Sequence, residues 1–327
     1  MKALIYDAPE TLGFRDVPEP QPAAGEHLVR VCAVGICGSD MHAYLGHDDR
    51  RMAPLILGHE AAGIVMGGPR DGERVTINPL VTCGACPACR AGRENLCPDR
   101  QIISMPPREG AFAQFVSMPD VNLVPVPDGF PTDKAALAEP LAVSWHAARL
   151  GMEALGAGVG ANNALVIGGG PIGLGAALAL RAMGLEDVSI VEPNPVRRSF
   201  LVEQCGENAI ETADGTYALV VDAVGYAVTR ASASALARPG GVIVHVGLAE
   251  DTGGLDIRRM TLQEITFIGT YTYTAEDFRQ TAQVMYEGRL GDLDWFQSRS
   301  LQEGAQAFAD LRNGTVAAPK IVLDPWA

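Results

Sequence analysis

The apolar run Ala164 to Ile167 passes directly into GGGPIGLG and then into an Ala- and Leu-rich stretch of helical character, with Gly168, Gly170 and Gly173 in G-x-G-x-x-G register. This strand–turn–helix succession restricts the fold more than any other segment, because each glycine answers a separate steric demand. Gly168 permits the tight turn. Gly170 lets a pyrophosphate approach the backbone, and Gly173 lets helix and strand pack closely, with phosphate at the helix N-terminus beside Pro171 and Ile172. A glycine turn alone can be purely structural. Here Glu192 stands nineteen residues after Gly173, at the end of the next apolar strand, where a carboxylate can accept hydrogen bonds from the adenosine ribose. Arg197 and Arg198 follow closely, and arginine is what accommodates a 2′-phosphate. Such arginines also pack against adenine, and Glu192 would repel that phosphate, so NAD is the expected cofactor.

The same alternation continues. Val188–Glu192, Ala218–Asp222 and Val242–Val246 read as short apolar strands, with helical runs between the first three, which predicts a doubly wound parallel sheet beginning just after Pro140. The first third differs: residues 2–6 and 27–34, Ala61–Val65 and Arg74–Ile77 read as strands separated by turns. After Thr272 come a helix over Ala275–Glu287, a strand over Gln297–Leu301, a helix over Glu303–Arg312 and a strand over Lys320–Leu323, none of which extends the βαβ series. With 327 residues exceeding what one core usually organises, the expected domains are 1–141, carrying a lobe at about 80–100, and 142–272, with 273–327 returning to the first. The uncharged stretch Ala154–Leu180 is long enough to span a bilayer, but its eight glycines, Pro171, Asn162 and Asn163 argue for the glycine turn instead.

Four cysteines, Cys83, Cys86, Cys89 and Cys97, fall within fifteen residues. C-x-x-C steps let a tight turn present two sulfurs to one centre, and four thiolates suit tetrahedral zinc. A disulfide cluster and an iron–sulfur site compete. The iron–sulfur pattern takes three residues before its fourth cysteine, whereas seven intervene here, and disulfide scaffolds belong to short secreted chains. The start, MKALIYDAPE, shows no basic region followed by an apolar one, so the reduced cytoplasm is the expected compartment. A net charge of −14 with no basic patch argues against nucleic acid and anionic membrane surfaces as partners. A second, scattered set comprises Cys37 in GICGSDMH, His59 and Glu60 in LGHE, and Glu139 in AEPLAV. Catalytic zinc sites are often assembled from such dispersed residues, with three protein ligands and one open position.

Taken together, GHEAAGIV, the C-G-x-C-x-x-C-x-x-G-x-x-x-x-C run, VIGGGPIGL and AEPLAV resemble, in order, the zinc-dependent medium-chain dehydrogenases, especially the sorbitol, threonine and galactitol-phosphate dehydrogenase branch. The resemblance covers essentially the whole chain. It implies a Rossmann domain joined to a mostly β, GroES-like catalytic domain, and two zinc ions per chain. Cys37 and His59 would hold the catalytic zinc with Glu60 or Glu139 as a further ligand, and Cys83, Cys86, Cys89 and Cys97 the structural one. Ser39 matches the hydroxyl that bonds the substrate alcohol. His42 matches the histidine that passes the proton to solvent through the cofactor ribose. A homodimer or homotetramer is also implied. The chain departs from the classical alcohol dehydrogenases at Glu139, which replaces a cysteine ligand, and MGGPRDGER is shorter than the usual loop.

The implied activity is hydride transfer between a small-molecule secondary alcohol, such as a polyol, sugar alcohol or related hydroxy compound, and NAD. An NADPH-dependent carbonyl reductase of the same fold is one alternative, and a non-catalytic sensor of nicotinamide redox state another. Intact Cys37, Ser39, His42 and His59 argue against the sensor, which needs no proton relay. Of the remaining candidates, Cys32 reads as a small buried hydrophobe, Cys205 as part of a Rossmann helix and His245 as a satisfied histidine beside a sheet. His27 and His146 show no partner in sequence. His47 either lines the substrate pocket or faces water, and Lys320 stands near a family position that contacts the pyrophosphate.

Overall fold

The computed structural model describes residues 1–156 and 163–327, so Asn162 and part of the uncharged stretch lie outside the described residues. Two compact units result: Met1–Glu139 with Thr274–Glu287 and Phe296–Ala327, and Pro140–Tyr273 with Gly288–Trp295. The expected return over 273–327 is thus interrupted, since Gly288–Trp295 groups with the second unit. Among the described residues, no helix is long and apolar enough to cross a membrane.

The second unit is built on a parallel sheet ordered Ala209–Ile210, Asp187–Val191, Asn163–Ile167, Tyr217–Asp222, Ala237–His245 and Thr266–Gly269. Its middle strands are apolar along their length because both faces are covered; Leu165, Val220 and Ile243 are wholly buried. The chain moves to opposite sides of Asn163–Ile167, which puts the glycine turn at the switch point where nucleotides bind such sheets. Pro171 opens the helix Pro171–Ala182 at a position where its missing N–H costs nothing, and the Asn194 side chain caps Pro195–Glu203 by accepting from Val196 and Arg197.

Three features depart from the sequence expectation. A helix, Ala227–Leu236, joins the third and fourth apolar strands; its AVTRASASAL sequence has weak intrinsic propensity, and burial of Ala233 and Ser234 fixes it. Edge strands Ala209–Ile210 and Thr266–Gly269 are too short to show a period. Cys205 lies in the turn after Pro195–Glu203, where Gly206 takes a φ of 68° and ends the helical path.

In the first unit, strands Leu123–Pro125, Arg74–Ile77, Glu60–Met66, Glu26–Gly35, Lys320–Asp324 and Phe296–Ser300 follow one another, with Phe115–Pro119 also paired to Glu26–Gly35. A smaller sheet joins Thr11–Asp16, Lys2–Ala8 and Leu55–Ile56. Register is what matters for function: Gly35 pairs with Glu60 on one side and with Val322 on the other. That brings the Cys37 segment, Glu60 and Lys320 to one place. A side chain at residue 35 would overlap the Glu60 carboxylate, so only glycine lets that carboxylate lie across the strand.

Candidate active site

The four-cysteine lobe is bracketed by the short strand pair Leu80–Val81 and Gln101–Ile102, and its turn is a single helical turn, Pro87–Arg90, capped by Cys86. None of the four cysteines is in a disulfide. Their ligand atoms lie within 4.8 Å of one another, with Sγ–Sγ separations of 3.9 Å for Cys83–Cys89 and 3.5 Å for both Cys86–Cys89 and Cys83–Cys97. Thiolates about 2.3 Å from one tetrahedral zinc stand about 3.8 Å apart, so the cage fits that ion closed on all four sides. Backbone N–H groups of Ala85 and Cys86 lower the Cys83 pKa to about 7, favouring the thiolate that a metal requires. Cys89→Ser is expected to cost the protein one zinc and about 10 °C of melting temperature, because metal binding at such a site is folding free energy. Elemental analysis beside a thermal melt checks this.

The second site starts at Cys37, the N-cap of the helix Gly38–Tyr44. Asp40, wholly buried three residues later, accepts from the backbone N–H of Cys37 at 2.9 Å and of Gly58 at 3.3 Å, joining the two segments that carry Cys37 and His59. The Nδ1 atom of His59 faces Asp40 Oδ1 at 3.4 Å and the Ser104 hydroxyl at 3.3 Å. Its Nε2 is thereby directed to the other side, where Ser39 Oγ lies at 3.5 Å. The ligand atoms of Cys37, His59 and Glu60 fall within 4.8 Å of one another, a sulfur, a nitrogen and an oxygen suited to zinc with a fourth position for substrate. Burial acts against a charged His59, but Asp40 and Cys37 outweigh it and hold the imidazole pKa well above its ordinary value.

Glu60 is engaged from behind. Lys320 Nζ donates to both its carboxylate oxygens at 2.7 Å and to the Ile36 carbonyl at 2.9 Å, with both side chains 1% exposed. Lys320 is therefore committed to the Glu60 carboxylate and the Ile36 carbonyl. Burial alone would lower its pKa, yet the charges of Glu60, Cys37 and Glu139 raise it. Glu139 is buried near this lysine but stands outside the Cys37–His59–Glu60 group. His42 lies three residues beyond Ser39, on the same face of the helix, and is exposed. Sequence reasoning passed over Asp40, Ser104, Arg51 and the pairing of Lys320; only Asp40 carried a local signal, an acid at the third helical position after Cys37.

At the glycine turn, Gly168 adopts a φ of 103°, and a side chain on Gly173 would overlap the Gly168 carbonyl. Among the described residues, no atom lies within 4 Å of where a side chain on Gly170 would begin, the position that a phosphate would approach. Glu192 is buried, accepting from Gly169 N at 3.0 Å and Asn194 N at 2.8 Å. Arg198 is consumed by the carbonyls of Glu192 and Pro193 and by the Glu211 carboxylate. Arg197 instead lies 3.8 Å from Glu192, its buried Nε without a partner. His245 contacts Asp222 at 3.1 Å, which accounts for it structurally, and His27 and His146 meet Asp120 and Arg149. Cys32, on Glu26–Gly35, is only partly buried.

Residues 23–128 match the alcohol dehydrogenase GroES-like domain and residues 171–287 the zinc-binding dehydrogenase domain. The chain is 33% identical to L-galactonate-5-dehydrogenase of Escherichia coli (strain K12), over 89% of this chain and 88% of that one. It is also 33% identical to sorbitol dehydrogenase of Bacillus subtilis (strain 168), over 84% and 82%. The solved alcohol dehydrogenase from Thermus sp. ATN1 superposes with a TM-score of 0.86 at 26% identity, covering 99% of both chains. The chain belongs to the zinc-dependent medium-chain dehydrogenases, an oxidoreductase family whose relatives here include polyol and sugar-acid dehydrogenases.

Proposed function

We propose that this chain is a cytoplasmic, NAD-dependent dehydrogenase, a homodimer or homotetramer with two zinc ions per subunit, that oxidises a secondary hydroxyl of a polyol or related polyhydroxy compound. The observation that carries the reading is the approach of Ser39 Oγ to within 3.5 Å of His59 Nε2, which sets a proton-accepting hydroxyl beside the Cys37–His59–Glu60 donor set. Zinc at that set supplies a Lewis acid that lowers the pKa of an alcohol, and NAD at the glycine turn supplies the hydride acceptor. Ser39 takes the alcohol proton and His42, on the exposed face of the same helix, delivers it to water. Glu60 is the third ligand and Lys320 holds its carboxylate in place. Glu139 is the reserve carboxylate, so Glu60→Ala should deplete the catalytic zinc more severely than Glu139→Ala, as metal analysis of the two variants would report. The names of the relatives point to polyhydroxy substrates. A panel of polyols, aldonates and sugar phosphates with NAD tests the reading, and reduction of NAD by none of them would contradict it.

NAD is favoured over NADP by Glu192, whose carboxylate is fixed by two backbone N–H groups and repels a 2′-phosphate. Arg197 works in the opposite direction as a nearby cation. With both present, kcat/KM should still favour NAD by at least about tenfold, roughly 1.4 kcal/mol, and Glu192→Ala should erode that preference mainly through KM for NAD. Steady-state rates with both cofactors decide it; equal or better efficiency with NADP would show that Arg197 prevails.

A further inference from the structure

One buried cation near the reacting centre is neither a metal ligand nor part of the cofactor turn. Arg51 is 3% exposed, although it follows an exposed Arg50 in a surface-reading HDDRR run. Its guanidinium is held on several sides. The Nε donates to the Ser104 carbonyl at 3.1 Å, and Nη1 donates to Asp48 Oδ2 at 2.6 Å and more distantly to the Ser39 carbonyl at 3.4 Å. The remaining nitrogen, Nη2, donates to Ser39 Oγ at 3.3 Å. Asp48 is itself fixed by the Arg50 backbone and side chain, and Ser104, the other anchor, holds a φ of 70°, rare for a non-glycine residue.

We propose that Arg51 is the positioning residue of the proton relay, setting the direction in which the Ser39 hydroxyl accepts and donates. This rests on the dehydrogenase reading above. A serine hydroxyl offers one hydrogen and two lone pairs, whereas a guanidinium only donates and stays charged. With Arg51 on one lone pair, Ser39 keeps one lone pair and one hydrogen. The substrate O–H bond then breaks as a new Oγ–H bond forms. Ser39's original hydrogen leaves toward His42 and water, and the carbinol C–H bond breaks to send its hydride to NAD as the C=O bond forms. Without Arg51 the hydroxyl rotates among orientations, and only a fraction of them accept from the substrate. Lysine keeps the charge but lacks the fork needed to engage Ser104, Asp48 and Ser39 together.

The test is a double-mutant cycle on the zinc-loaded enzyme, with Arg51→Lys and Arg51→Met made in wild-type and Ser39→Ala backgrounds. Zinc content, melting temperature and NADH titration accompany kcat and KM. Arg51→Lys is expected to lower kcat about tenfold and Arg51→Met about a hundredfold, within the range of one acid–base contribution, with KM, zinc and NADH binding within about threefold of wild type. In the Ser39→Ala background, Arg51→Lys should lower kcat less than about twofold, because the hydroxyl it orients is gone. A full tenfold loss in that background overturns the proposal, as does unchanged kcat in both single variants. Loss of zinc or of NADH binding by Arg51→Lys assigns the residue to the fold and also overturns it. Failure of the dehydrogenase reading is distinct: wild-type protein would then reduce no NAD with any alcohol, and no relay would exist to position.

Discussion

Cys37→Ser is expected to abolish turnover, lowering kcat on the order of 10³-fold or more, in a protein that still folds, still binds NADH and still carries the zinc of the four-cysteine lobe. The asymmetry comes from where each ligand sits. Cys37 is a helix N-cap at the edge of a packed sheet, and the buried Asp40 joins its segment to that of His59 through backbone N–H groups whatever occupies the metal position. Removing its sulfur therefore takes away a ligand without taking away the scaffold. Metal content, melting and cofactor titration report on the scaffold, and kcat reports on the site. A Cys37→Ser enzyme of normal activity would sink the catalytic assignment.

Lys320→Met is expected to be the most destabilising single change outside the zinc lobe. Glu60 and Lys320 are each 1% exposed and meet at 2.7 Å, so in protein whose open site holds no metal, deleting the lysine charge leaves a carboxylate buried without a cation. Breaking one side of a buried pair costs about 3–5 kcal/mol, which corresponds to roughly 10 °C of melting temperature at this domain size. The companion Glu60→Gln, Lys320→Met double variant should recover much of that loss, because a neutral amide is cheaper to bury than a lone charge. Denaturant midpoints of the three proteins, each with the open site free of metal, check this. A single variant as stable as wild type would show that solvent reaches Glu60.

These two residues also show where sequence reading stopped. Cys37, His59 and Glu60 were found from short motifs, GICGSDMH and LGHE, because each motif is local. The pairing of Glu60 with Lys320 spans 260 positions and depends on the register of three strands around Gly35, which no local pattern records. The parallel sheet was legible because its middle strands are buried on both faces and read as uninterrupted apolar runs. The helix Ala227–Leu236 was not, since its alanines and serines acquire helical form from the packing of Ala233 and Ser234 rather than from propensity. Arg51 gives no local signal in the sequence; its burial follows from Ser104 and Asp48, one of them 53 positions away. Glu192 stands out in the sequence because nucleotide-binding units keep an acidic residue at a fixed distance from the glycine turn, and its carboxylate accepts from the Gly169 N–H of that turn at 3.0 Å.

The central claim is that the Cys37–His59–Glu60 site performs alcohol oxidation through a bound zinc ion, and stepwise metal removal tests it most directly. Dialysis against a chelator, with zinc counted by elemental analysis and NAD reduction assayed on the same samples, should remove the ion of the open site before that of the closed four-cysteine cage. Activity should fall in proportion to the first equivalent lost while NADH binding and the melting profile persist, and one equivalent of zinc should restore it. Full activity after loss of that first equivalent would contradict the account.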